Sequence, residues 1–147
     1  MYGLKVLVRR ILLVIPILVL MMLGGYIIEI WKWIPDTVAS HFNFSGVPNQ
    51  WSGKVLFVAI FLILEFGVCS WIYIKIHVHQ KRGSIGFLYF VFMFISYVFW
   101  LSLRTNVQHG YFPIMSVLPG ALCGLVCALL AAWSMSEDVK ESGAGLG

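Results

Sequence analysis

The chain has 147 residues, of which 61% are hydrophobic, 16% aromatic and only 11% charged, and its net charge is +4. A water-soluble domain needs more polar surface than this composition provides, so water is not its main solvent. Four stretches qualify as bilayer spans, and at about 20 residues each they leave no room for a separate soluble catalytic domain or a basic nucleic-acid-binding module.

The first expected span covers residues 11–33. Lys5, Arg9 and Arg10 precede it in the manner of a signal peptide, but the apolar run is too long and reaches Gly24-Gly25-Tyr26 rather than a small-residue cleavage site. It is therefore expected to remain as an uncleaved helix, kinked near Pro16 and ending in the interfacial cluster Trp31-Lys32-Trp33. The second span is expected over 55–76. The third, over 85–103, is crowded with phenylalanine and tyrosine, and the fourth, over 112–133, has Pro113 and Pro119 near its start. Cys69, Cys123 and Cys127 all fall inside apolar runs, where thiols act as small hydrophobes and no disulfide framework is expected. The fold expectation is an all-α integral membrane protein. It is a four-transmembrane-helix bundle forming one domain over 1–135, followed by a polar tail over 136–147.

Basic residues beside spans resist translocation, so their distribution sets orientation. Lys5, Arg9, Arg10, Lys75, Lys81, Arg82 and Lys140 fall on one side, and Lys32, Lys54 and Arg104 on the other. This imbalance predicts a multi-pass protein of a cytoplasmic (inner) membrane with both termini in the cytoplasm. The long connection over 34–54 is then extracytoplasmic. It is too apolar for a flexible linker and too punctuated for a helix. Pro35-Asp36 reads as a helix stop, the stretch from His41 to Ser45 alternates in the period of a strand, and Ser45-Gly46-Val47-Pro48 marks a turn. Phe42, Phe44, Val47 and Trp51 are expected to form an apolar underside that folds the loop back as an ordered lid on the helix ends.

The order Pro35-Asp36, His41-Phe42-Asn43, Gly46, Pro48, Trp51, Lys54 resembles the family catalogued as domain of unknown function 1648, the N-terminal domain type of SdpI-like bacterial immunity and signalling membrane proteins. The resemblance covers about 20 residues, and the family commonly has Asp-Gly where this chain has Asn49-Gln50 before the tryptophan. It implies a helical protein of a bacterial or archaeal membrane. It also implies a non-catalytic role in immunity or signalling, with Asp36, His41, Asn43, Trp51 and Lys54 as a loop that meets a peptide or membrane-protein partner.

Glu65 lies about ten residues, or about 15 Å of helix, below the start of the second span, which places it at the bilayer midplane. An ionised carboxylate there costs on the order of 2.5–3.5 kcal/mol, so it is expected to face protein or water, with Ser96 or Tyr97 of the third span as hydroxyl partner. It reads either as a proton or ion relay or as a neutral interhelical hydrogen bond. Glu29, Arg104 and His109 gather near the outer face, where with Asp36 and His41 they would form a polar pocket or simply anchor the loop through ion pairs such as Glu29 with Lys32. No metal-ligand spacing, cofactor motif or nucleophile motif occurs, so no metal, cofactor or enzymatic activity is expected. The histidines of His77-Val78-His79-Gln80-Lys81-Arg82 read as part of a basic headgroup contact rather than a metal clasp. Gly120, Gly124, Ala128 and Ala132 recur every four residues as a small-residue stripe for close helix packing, within the chain or in a homo-oligomer. Two functions fit this sequence. One is partner binding at the outer loop; the other is a small proton-coupled transporter, or an accessory subunit of one, that uses Glu65.

Overall fold

The computed structural model of the chain describes residues 2–77 and 82–134. Helix α1 (Tyr2–Ile30) leads into a hairpin of β1 (Thr37–Phe42) and β2 (Pro48–Gly53), followed by α2 (Lys54–His77) and α3 (Arg82–Gln108). A short 3-10 turn (Ile114–Val117) then precedes α4 (Leu118–Ser134). All four helices are long and apolar enough to cross a membrane, with mean hydropathies of 2.8, 2.5, 2.0 and 2.3. The protein is a multi-pass membrane protein. The connection carrying His79 and Lys81, and the tail carrying Lys140, lie outside the described residues.

Several helix ends differ from the sequence expectation, each for a local reason. Helix α1 begins at Tyr2 rather than residue 11, so Lys5, Arg9 and Arg10 belong to the helix instead of preceding it. Lys5 is tolerated there because its stem packs inward, only 7% exposed, and its ammonium lies 5.5 Å from the centroid of the Trp133 ring of α4. The helix stops at Ile30, whose carbonyl accepts from Trp33 and Ile34 N–H, so Trp31 to Trp33 form a closing turn. Helix α3 continues past residue 103 to Gln108, where His109 adopts φ +50° and Gly110 N–H donates to the Thr105 carbonyl, a left-handed helix closure. Phe112 and Pro113 are not helical. Helix α4 starts at Leu118, with Pro119 in its first turn, where a missing N–H costs no helical bond.

Helix α3 is the central element: 39% of its most apolar stretch is buried, against 22–28% for the other three. It carries Tyr89, Phe92, Phe99 and Leu103, all completely buried. Near the hairpin end of the bundle, Phe99 and Leu103 join Leu23, Ile27, Phe57 and Val58 in one cluster. Toward the other end, Tyr89 and Phe92 join Leu12, Ile72, Ile76 and Ile85.

The contact between α3 and α4 is made by absent side chains. A Cβ on Gly120 would strike the Tyr97 ring, one on Gly124 would lie 3.0 Å from the Phe90 carbonyl oxygen, and one on Gly86 would lie 2.9 Å from the Ala128 carbonyl oxygen. The small-residue stripe is thus spent within the chain. Its buried members are Gly120, Gly124, Cys127, Ala131 and Ser134, while Ala128 and Ala132 are only half-buried. The face follows the helical repeat and drifts off a strict four-residue spacing after one turn.

Pro16 is fully buried within α1 and has no N–H to give the Leu12 carbonyl. Tyr89 OH of α3 donates to that carbonyl at 2.8 Å, and Tyr73 OH of α2 donates to the neighbouring Leu13 carbonyl. The backbone polarity released by the proline is satisfied by two other helices, which is how a proline is accommodated in a helix surrounded by lipid.

Candidate functional site

The two strands pair antiparallel, with Thr37 opposite Gly53, Val38 opposite Ser52 and Ala39 opposite Trp51. Ser40 has no partner, so the strand bulges between Ala39 and His41. The alternation expected from His41 to Ser45 is carried by a strand only as far as Phe42, since Asn43 to Ser45 form the turn, and upstream Val38 and Ala39, neighbours in sequence, are both buried. With Ile34 they form the underside of the hairpin. Of the four residues expected there, only Phe42 turns inward, stacking on Phe112 with centroids 4.8 Å apart. Phe44 is fully exposed, Trp51 is 59% exposed and Val47 39%.

Three fastenings hold the hairpin to the bundle. At its base, Lys54 N–H donates to the Asp36 carbonyl at 2.9 Å and Lys54 Nζ pairs with Asp36 Oδ1 at 2.9 Å. The same ammonium lies 5.2 Å from the Trp31 ring centroid. Pro35-Asp36 therefore closes the hairpin onto the first residue of α2, whereas α1 has already ended at Ile30. In the middle, Asn106 of α3 serves as a short third strand. Its Oδ1 accepts from Ala39 N–H at 2.6 Å, and its Nδ2 lies 3.1 Å from the Ala39 carbonyl and 2.9 Å from the Ser102 carbonyl, donating toward both. At the tip, Asn43 Oδ1 accepts from Ser45 and Val47 N–H, both at 2.9 Å, and shapes the turn. Gly46, at φ +75°, accepts from Phe112 N–H at 3.0 Å. A Cβ at Gly46 would collide with the Phe112 carbonyl oxygen, so glycine is required by the close approach as well as by the backbone angle.

His41 is exposed, and its Nδ1 donates to Asn49 Oδ1 at 2.6 Å, which leaves Nε2 available to another group. Two open cavities flank the hairpin. One, of about 400 Å³, lies between Trp51, Pro48 and the end of α3 at Asn106 and His109. The other, of about 670 Å³, lies beside His41 and Phe44, above Phe57, Phe61 and Ser102. The expected outer polar pocket is divided. His109 borders the Trp51 cavity, Arg104 borders an adjoining one that shares the Tyr111 wall, its guanidinium carbon 5.6 Å from the Trp100 ring centroid, and Glu29 is exposed on α1. Among the described residues the ion pair formed at this end joins Lys54 to Asp36, not Glu29 to Lys32.

Glu65 is only 1% exposed. Ser96, rather than Tyr97, meets it: Ser96 Oγ lies 3.0 Å from Glu65 Oε1 and 2.8 Å from the Phe92 carbonyl, while Glu65 Oε2 has no partner. One serine proton thus serves two acceptors, and the group is a donor short unless the carboxyl itself carries a proton. Tyr97 instead packs on Gly120 and lies 5.6 Å, between ring centroids, from Trp100.

Residues 12–64 match the family model described as domain of unknown function, DUF1648. The chain carries a DUF1648 segment. It starts at Leu12, whose carbonyl Tyr89 caps, spans the whole hairpin, and ends one residue before Glu65. No curated protein and no solved structure matches the chain. The DUF1648 residues Asp36, Asn43, Gly46 and Lys54 build the hairpin, but the residues that receive it, Asn106 and Phe112, lie outside the matched segment. Sequence reading missed both because Asn106 falls beyond the expected end of the third span, and Phe112 falls at the expected start of the fourth, where it reads as one more apolar helix residue. An asparagine adjoining an apolar run was the available signal, since a buried amide needs partners.

Proposed function

We propose that the protein is a non-catalytic, SdpI-like membrane protein of a bacterial or archaeal cytoplasmic membrane. Both termini are cytoplasmic, and the outward-facing hairpin takes a peptide or protein partner in toxin immunity or signalling. The observation that carries this reading is a hairpin fastened at base, middle and tip that nonetheless holds Phe44 and Trp51 out, at 102% and 59% exposure, near Tyr111 of the connection that follows α3, at 76%. Exposed aromatics on a braced support are the usual anchors of recognition, because little side-chain or backbone freedom is lost on binding. His41, with Nε2 free beside the larger cavity, supplies a directional polar contact.

The test is affinity purification of the tagged protein from its native membranes in mild detergent, with mass spectrometry of whatever remains bound. A stoichiometric peptide or protein that is lost with Trp51→Ala or His41→Ala and retained with Glu65→Gln is the expected result. Recovery of the chain alone from wild-type membranes refutes the reading.

A second reading, proton-coupled transport through this chain or a complex it serves, is favoured by the unpartnered Glu65 Oε2. Under it Glu65→Gln abolishes proton-coupled flux in liposomes while Trp51→Ala leaves it intact, the reverse of the first pattern.

A further inference from the structure

Helices α1 and α3 do not close on one another as α3 and α4 do. Between them runs a cleft of about 420 Å³ whose walls include Met22 and Tyr26 of α1 and Met93, Tyr97 and Trp100 of α3. Met22 is 75% exposed, so the cleft opens sideways, toward where lipid chains lie. Its size and apolar lining suit a single aliphatic chain. Toward the hairpin end the same Tyr97 and Trp100 also border a second cavity, of about 380 Å³, whose other walls carry Arg104, Gln108 and Ser116. The two spaces adjoin through the shared aromatic pair, apolar on the membrane side and polar with a cation at the end.

Arg104 is exposed and, among the described residues, forms no ion pair. Its guanidinium carbon lies 5.6 Å from the Trp100 ring centroid, a cation–π contact that orients it without neutralising it. Asp36, at the same end, is taken by Lys54. A planar cation held at the level of the helix end suits a phosphate diester, because guanidinium offers it paired donors.

We propose that this joined site binds one acidic phospholipid, with an acyl chain in the cleft between α1 and α3 and the phosphate at Arg104. The lipid bridges two helices that touch each other little and so fixes the position of α1 beneath the hairpin. The site shares a wall, including Tyr111, with the Trp51 cavity but contains neither Trp51 nor His41, so Trp51→Ala and His41→Ala are expected to leave lipid binding intact.

The test is native mass spectrometry of the delipidated full-length protein titrated with phosphatidylglycerol or with phosphatidylcholine of the same acyl chains. One phosphatidylglycerol is expected to be retained at least about fivefold more strongly than phosphatidylcholine, the factor a single basic residue contributes at an anionic surface. Arg104→Gln is expected to erase that preference and Arg104→Lys to keep most of it, with melting temperatures showing that both are folded. Met93→Trp, which fills the cleft, is expected to lower retention of both lipids. Equal retention of the two lipids by the wild type, or an unchanged preference in Arg104→Gln, overturns the proposal. Displacement of the lipid by glycerol 3-phosphate alone also overturns it, since the site would then be one for a free phosphate and not for a lipid.

Discussion

Replacing Asn106 by alanine should release the hairpin while leaving the bundle intact. Ala39 is 2% exposed, and both its N–H and its carbonyl are served by the Asn106 amide, at 2.6 and 3.1 Å. Truncation leaves both groups without that partner; an unsatisfied buried polar group costs about 1–3 kcal/mol, and at about 1–2 kcal/mol each, the lower part of that range, the two together give about 2–4 kcal/mol. At about 1.4 kcal/mol per factor of ten, local opening of the hairpin becomes about 30- to 700-fold more frequent. Hydrogen–deuterium exchange of the protein in nanodiscs reads this directly. Amides of 37–53 should lose protection by that factor, while those of α2 and the buried half of α3 keep theirs, because opening is confined to a weakly packed unit. Unchanged exchange over 37–53 would refute the role given to Asn106. A uniform loss across all helices would refute it too, by making Asn106 a bundle residue instead of the hairpin's latch.

Three further substitutions separate strong from weak contributions. Asp36→Asn removes a salt bridge whose acidic side chain is 93% exposed, so hairpin exchange should change by no more than about fivefold, in keeping with the small worth of exposed ion pairs. Tyr89→Phe strips the donor from the Leu12 carbonyl in the apolar interior and should lower stability by about 1–3 kcal/mol, measured by denaturant titration in detergent, with Tyr73→Phe adding to it less than independently because the two carbonyls are neighbours. Gly120→Leu forces a side chain into the Tyr97 ring and should cost about 1–3 kcal/mol as a drop in melting temperature, whereas the same change at Gly67, where a Cβ would meet nothing, should cost little.

Composition and hydropathy determined that this chain lives in a membrane, that it crosses as four helices and that its unusual chemistry lies in one connection, because each of those facts is a sum over neighbouring residues. The turn at Ser45-Gly46 was legible as residue types in order, whereas the tie between Asp36 and Lys54 was not, because the ion pair expected from spacing was Glu29 with Lys32. Tertiary structure alone decided which side of the hairpin is buried: Asn106 holds the Ala39 backbone against α3 and Val38 packs into the bundle, while Phe44 and Val47 lie in the turn and Trp51 is exposed. It also brought Asn106 to Ala39 across 67 positions and two tyrosines to the carbonyls beside Pro16, and it chose Ser96 over Tyr97 as the hydroxyl partner that depth alone had suggested for Glu65. In helices that are apolar on every side, the sequence carries little record of which face meets a neighbour and which meets lipid. Packing of the α3 aromatics against the glycines of α4 sets that rotation for these two helices, and with it the position of the polar groups they carry.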